Sequence, residues 1–142
     1  MGSDEAAISK CLDTFHQAAA AADARTYFNL FTSESVFIGT DDTERWTLKE
    51  FKEFALPHFL RGKGWTYTAV TRNISISSEG TIAWFDEQLE NAKLGRTRGS
   101  GVLIKTVDGW KVAQYVLSIP IPNNLAEKVV SQIKVYPTHL ES

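Results

Sequence analysis

Apolar residues recur at helical spacing at Ile8, Leu12, Phe15, Ala19 and Ala22, with Cys11 and Ala18 beside them, so the chain opens on an amphipathic helix. Asp23 can cap a second, short helix in which Tyr27, Leu30 and Phe31 share a face. The run Ser35-Val36-Phe37-Ile38-Gly39 then reads as a strand that stops at the polar turn Thr40-Asp41-Asp42. Thr47 and Glu50 have the spacing of a capping box, in which each side chain accepts a hydrogen bond from the other's unpaired backbone N–H. Trp46 and Phe51 are placed for a hydrophobic staple, so a helix begins at Leu48. Pro57, which lacks an N–H and crowds the preceding turn, is expected to bend or end that helix.

Four strand-like runs follow at 65–77, 81–91, 97–107 and 110–119, and the three short joints between them each contain a glycine. Such joints imply antiparallel neighbours. Pro120 and Pro122 end the last strand, and Asn123 or Asn124 can cap a closing helix with Leu125, Val129 and Ile133 on one face. The strands do not alternate cleanly: Trp84 and Phe85 are adjacent, as are Val102, Leu103 and Ile104, and Tyr115, Val116 and Leu117. Both sheet faces therefore carry apolar groups. One is expected to pack on the helices and the other on a second copy, giving a homodimer through the sheet face.

Composition narrows the class without changing that picture. The 142 residues suit one α+β domain spanning 1–142, with its core at about 5–120 and the closing helix at about 123–135. A net charge of −2, with scattered lysines and arginines, gives no basic stripe for nucleic acid or an anionic membrane. Cys11 is the single cysteine, so no intrachain disulfide forms, and its apolar surroundings favour a buried structural thiol. The start Met-Gly-Ser-Asp-Glu lacks a signal-peptide pattern, and Ala6 breaks the myristoylation pattern, so a cytoplasmic location is expected.

The order helix–helix–strand–helix–long antiparallel sheet is that of the nuclear transport factor 2-like cone. The likeness sharpens at Tyr27-Phe28-Asn29-Leu30-Phe31-Thr32, Val36-Phe37-Ile38-Gly39-Thr40-Asp41 and Glu44-Arg45-Trp46. It continues at Gly99-Ser100-Gly101-Val102-Leu103 and Gly109-Trp110-Lys111-Val112. Over about residues 5–120 the chain resembles the SnoaL-like branch of that superfamily. The resemblance implies a curved sheet and helices enclosing a pocket open at one end. Steroid isomerases, polyketide cyclases and dehydratases share the fold with modules that have no catalytic role, so fold does not decide function.

Several side chains are of types that could carry chemistry. His58, seven residues after Phe51 and four after Phe54, is either a general acid or base or a buried histidine bonded to a backbone carbonyl. Arg72 shares parity with Val70, Ile74 and Ile76 and needs an anionic partner if buried. Glu87, in the row of Ala83, Phe85 and Leu89, is favoured over Asp86 for that role. The pair is either structural or an anion-binding site. Asp41 is either a base at the pocket mouth or a turn residue bonding its own backbone. Arg98 and Ser100, with Arg96, share parity with Val102 and Ile104; either they line the sheet end of the pocket or the arginines are exposed hairpin residues, the reading favoured for Arg96. Gln114, in the sequence row of Trp110, Val112 and Val116, is a neutral group able to orient a ligand, and Tyr27 and Trp65 are either an aromatic wall of the pocket or plain core.

No Ser–His–Asp arrangement, phosphate-cradling glycine loop or paired-histidine metal motif is present in the sequence. The reading is a cofactor-free, metal-free protein that binds a small, largely apolar molecule with one carbonyl or carboxylate group. If the protein is an enzyme, proton transfer of the isomerase, cyclase or dehydratase type is the expected class, with His58 or Asp41 as base and Arg72 with Gln114 as support. The alternative is a non-catalytic dimeric ligand-binding or protein-interaction module.

Overall fold

The computed structural model of the chain describes residues 2–137, so the expected domain bounds at 1 and 142 lie outside the described residues. Helices α1 (Gly2–Ala20) and α2 (Ala24–Asn29) lead into β1 (Phe31–Ile38), the short β2 (Arg45–Thr47) and α3 (Leu48–Leu60). Then come β3 (Thr68–Ile76), β4 (Ile82–Asn91), β5 (Gly95–Thr106), β6 (Gly109–Ser118) and α4 (Asn123–Val135). The architecture is α+β, with one six-stranded sheet in the order β2-β1-β6-β5-β4-β3. The meander β3 to β6 is antiparallel throughout and brings β6 back beside β1, the one parallel pair.

Local chemistry explains where the helices begin. The Asp23 carboxylate accepts the Thr26 N–H at 3.2 Å and starts α2. At α3 both bonds of the capping box form, Glu50 N–H to Thr47 Oγ1 at 3.2 Å and Thr47 N–H to Glu50 Oε1 at 3.0 Å. The staple closes beside it, with the Trp46 and Phe51 rings stacked at 5.6 Å. Three expectations need correction. Helix α3 runs through Pro57 to Leu60, because the proline stands in the last turn and deprives the ladder of one hydrogen bond only. Helix α4 begins after Pro122 without a side-chain cap, so neither Asn123 nor Asn124 caps it. Strand β1 begins at Phe31, earlier than the β-rich run suggests, and pairs with the short β2.

The sheet separates its residues by face. Along β4, Ala83, Phe85, Glu87 and Leu89 are buried against the helices, while Trp84, Asp86, Gln88 and Glu90 point the other way. Two β-bulges shift this alternation elsewhere. In β3, Ala69 pairs with Leu89 and Thr71 with Gln88, so Val70 is the extra residue and is 51% exposed rather than sharing the inward row of Arg72, Ile74 and Ile76. In β6, Val102 pairs with Gln114 and Leu103 with Val112, which makes Ala113 the extra residue. Trp110 and Val112 therefore face inward before the bulge, and Tyr115 and Leu117 after it.

The core is unusually aromatic. Phe15, Tyr27, Phe28, Phe31, Phe37, Phe51, Phe59 and Tyr115 pack together between the inner sheet face and α1 to α3. Rings lose little rotamer freedom for the area they bury, which suits a frame that must hold a cavity open. The outer face retains Ile82, Trp84 and Ile104 as exposed apolar groups, and α4 buries none of its residues. Among the described residues, no helix is long and apolar enough to cross a membrane.

Candidate functional site

A cavity of about 200 Å³ opens between the inner sheet face and the helices. Its walls are Phe15, Phe37, Phe51, Phe54, Trp46 and Trp65, with Tyr27, Tyr115 and His16 at one side and Gly39, Thr40, Glu44 and Tyr67 at another. The size decides what fits inside. An apolar cavity of ~150 Å³ holds a benzene molecule, so the inner part of this one takes a single ring, while its mouth at Glu44, Phe54, Trp65 and Tyr67 opens into a wider groove.

Beneath His16 lies a buried polar cluster centred on Glu87, which is 1% exposed. Glu87 Oε2 sits 2.7 Å from His16 Nε2 and accepts the Tyr115 hydroxyl at 3.0 Å. Its other oxygen accepts Arg72 Nε–H at 2.9 Å. Arg72 Nη1 donates further to Asp13 Oδ1 at 2.8 Å and to Ser9 Oγ at 2.9 Å. Burial alone would push the Glu87 carboxyl up, but the His16 ring and the Arg72 guanidinium hold it below the ordinary 4.5. Burial also works against the charge on Arg72, yet Asp13 and Glu87 keep it even more firmly protonated than usual. Burial and the adjacent Glu87 charge raise the Tyr115 phenol, so it remains a hydrogen-bond donor.

A carboxylate can only accept hydrogen bonds. Glu87 therefore fixes the proton of His16 on Nε2 and leaves Nδ1 as the ring's free basic atom in the neutral imidazole, the logic of a carboxylate–histidine dyad. Tyr27 adds a second polar feature. Its hydroxyl is fully buried and without a hydrogen-bond partner, since the Trp65 indole approaches it without closing a bond of normal geometry. Burial raises its phenol, so the group keeps its proton. An unpaired buried hydroxyl costs roughly 1–3 kcal/mol; Tyr27 is 0% exposed, so it borders the cavity while its hydroxyl stays closed off from it.

Close backbone approach builds this cluster. A side-chain carbon at Gly99 would overlap the Tyr115 hydroxyl and lie 3.3 Å from Glu87 Cγ, so only glycine lets that phenol reach the carboxylate.

The structure brings some of the expected site residues together and separates others. Tyr27 and Trp65 both line the cavity, and Arg72 pairs with Glu87, while Asp86 bonds Asn73 on the outer face. Arg72 itself stands behind Glu87 and does not reach the cavity lining. Gln114 is turned outward by the Ala113 bulge. Arg98 and Ser100 also face outward, because the inward row of β5 is the odd one that contains Thr97, Gly99 and Leu103. His58 lies off the buried stripe of Phe51, Ala55 and Phe59, beside the 45% exposed Phe54, and its Nδ1 is 3.4 Å from Arg61 Nη2. Asp41 turns back on its own loop, accepting the Thr43 N–H at 3.0 Å and the Thr43 hydroxyl at 2.6 Å.

His16 was not among the residues picked out from sequence, although a signal exists. Ser9, Asp13 and His16 stand four and three residues apart, a polar stripe beside the apolar stripe of Ile8, Leu12, Phe15 and Ala19. Cys11 is half-buried rather than fully buried as expected; its Sγ lies 3.5 Å from the Trp110 carbonyl, and partial burial pushes the thiol up to about 11.

The sequence profile of the SnoaL-like domain matches residues 8–122, and the chain belongs to that family. No curated protein matches it. Among solved structures, it is similar to a protein of Streptomyces avermitilis provisionally assigned as a dehydratase of the nuclear transport factor 2-like family. That pair has a TM-score of 0.72 and 14% identity, covering 85% of this chain and 99% of the other. A Novosphingobium aromaticivorans protein provisionally assigned as an aromatic ring hydroxylase has a TM-score of 0.71 and 16% identity, covering 86% and 92%. A Shewanella frigidimarina protein provisionally assigned as a ketosteroid isomerase has a TM-score of 0.60 and 22% identity, covering 79% and 94%. These likenesses show the shared fold.

Proposed function

We propose that the cavity binds a small, largely apolar carbonyl compound and that the protein catalyses a cofactor-free proton transfer on it. The observation that carries this reading is His16, part of the cavity wall, with its Nε2 held by the buried carboxylate of Glu87. In the proposed reaction, Nδ1 of neutral His16 takes a proton from the carbon next to the carbonyl. The C–H electrons move to the carbonyl oxygen, and a small shift of the cavity wall on binding lets the unpaired Tyr27 hydroxyl, otherwise closed off, donate a hydrogen bond to it. Returning the proton to another carbon of a conjugated enolate gives an isomerisation, and delivering it to a departing β-hydroxyl releases water and gives a dehydration. Glu87 orients the ring and stabilises the imidazolium without itself taking the proton.

The test is deuterium incorporation next to the carbonyl of neutral one-ring ketones in D₂O, followed by proton NMR. Wild type is expected to accelerate exchange, and His16→Ala to lose on the order of 10²-fold or more while ketone affinity changes only a few-fold. A ketone that saturates the wild-type protein and gains no exchange rate would sink the catalytic reading.

A second reading is a non-catalytic dimeric module, its dimer formed through the outer sheet face, where Ile82, Trp84 and Ile104 remain exposed. A homodimer through that face is compatible with either function, because the cavity lies on the opposite side of the sheet.

A further inference from the structure

The mouth of the cavity carries a charge that the proposed proton transfer does not use. Glu44 is half-buried in the lining, beside Trp46, Phe54, Trp65 and Tyr67. Its Oε1 accepts the Asp41 backbone N–H at 3.2 Å, and among the described residues it has no cationic partner within ion-pair distance. The backbone is shaped to admit it. Gly39 continues the inward row of Phe37, and a side-chain carbon there would overlap Glu44 Oε1 and lie 3.0 Å from Glu44 Cβ. Any residue but glycine would displace the carboxylate from this place.

The rest of the lining sets the sign of what it prefers. Among the described residues no lysine or arginine lines the cavity itself, and in the adjoining groove that shares Glu44 the one cation, Lys93, is offset by Glu90, so an incoming carboxylate finds no net positive charge. Aromatic faces around a carboxylate are a favourable setting for an ammonium group, which gains from the ring quadrupoles as well as from the opposite charge. His16 and Glu44 both line the cavity, so a single bound ring is bordered by both groups.

We infer that Glu44 forms a subsite for a cationic amine, so the ligand is a one-ring carbonyl compound with an ammonium group opposite the carbonyl. This rests on the cavity reading above, in which the carbonyl meets Tyr27 and His16. The ammonium would lie against Glu44 and the Trp46 and Phe54 rings, which themselves stack at 4.7 Å.

Three matched probes separate the possibilities: 4-(aminomethyl)acetophenone, 4-ethylacetophenone and 4-acetylbenzoate, which are cationic, neutral and anionic at pH 7. Their dissociation constants are measured calorimetrically on wild type and on Glu44→Gln, whose amide oxygen can still accept the Asp41 N–H. The inference expects the cation to bind wild type about tenfold more tightly than the neutral probe, and the anion to bind most weakly. It expects Glu44→Gln to abolish the preference for the cation while leaving the neutral probe within about twofold. A neutral probe that binds wild type as well as the cation overturns the ammonium subsite and leaves the cavity standing. A preference for the cation that survives Glu44→Gln also overturns it. If none of the three binds at millimolar concentration, the cavity reading falls, and this inference with it.

Discussion

Replacing Glu87 with glutamine keeps the shape of the buried side chain and removes its charge, so it isolates what the carboxylate contributes. In the wild type this group accepts three hydrogen bonds at 2.7, 3.0 and 2.9 Å, from His16, Tyr115 and Arg72. The glutamine oxygen can still face Arg72, and its NH₂ then faces His16 and Tyr115. Both must become acceptors, His16 by moving its proton to Nδ1 and Tyr115 by rotating its hydroxyl. The hydrogen bonds are largely recoverable, and the charge is not. A hydrogen bond to a charged group contributes about 1.5–3 kcal/mol, and Arg72 keeps its Asp13 partner, so a loss of about 2–3 kcal/mol is expected. For a chain of this length that lowers Tm by roughly 6–12 °C.

The pH dependence of this difference has a definite sign. Because the folded carboxyl titrates below the ordinary 4.5, its contribution is full above that value and drains away as pH falls through the lower folded value. The gap between wild type and Glu87→Gln should therefore be widest near neutral pH and close in acid, where the wild-type carboxyl becomes neutral too. Thermal unfolding of both proteins at pH 7 and at stepped values below 4.5 measures it. A Tm change under about 2 °C at pH 7, or a gap that stays constant into acid, would refute the account of Glu87 as a charge-coupled anchor.

Three further outcomes follow from other parts of the fold. Gly99→Ala forces a methyl group against the Tyr115 hydroxyl and should cost about 1–3 kcal/mol in urea unfolding; an unchanged midpoint would mean that the phenol does not need that space. Cys11, with its thiol raised to about 11, has only about 0.1% thiolate at pH 8 and should react with a disulfide reagent at least ~100-fold more slowly than a free cysteine. Reaction at the free-thiol rate would contradict its burial. Trp84→Lys, on the outer sheet face, should convert a wild-type dimer to monomer in sedimentation equilibrium, and a wild type that is already monomeric at tens of micromolar would end the homodimer proposal.

The sequence conveys the fold better than the site, for a physical reason that particular residues show. Caps and staples act over four or five residues, so Asp23, Thr47, Glu50 and Trp46 announce the starts of α2 and α3 directly. Strand faces depend on parity, and parity is lost at a bulge. One extra residue, Ala113, carries Gln114 to the outer face although its sequence row contains the buried Trp110 and Val112. Val70 is misplaced in the same way, while Arg72, beyond its bulge, keeps the inward row of Ile74 and Ile76. The Arg72–Glu87 pairing was legible because both lie in inward rows of adjacent strands. His16 was harder to see, because its importance comes from Glu87, 71 residues away in sequence. His58 stood out for its residue type and its nearness to phenylalanines, yet the buried stripe of α3 passes it by.

The central claim, that the aromatic cavity is where this protein meets its ligand, can be tested with the four tryptophans. Trp46 and Trp65 line the cavity, Trp84 stands on the outer sheet face, and Trp110 is buried in the core outside the cavity lining. Their indole N–H signals can be assigned by single substitutions and followed by NMR during titration with 4-ethylacetophenone. The account predicts saturating shifts at Trp46 and Trp65, with Trp84 and Trp110 nearly still. Shifts confined to Trp84 or Trp110, or no shift at Trp46 and Trp65 at saturating concentration, would contradict it.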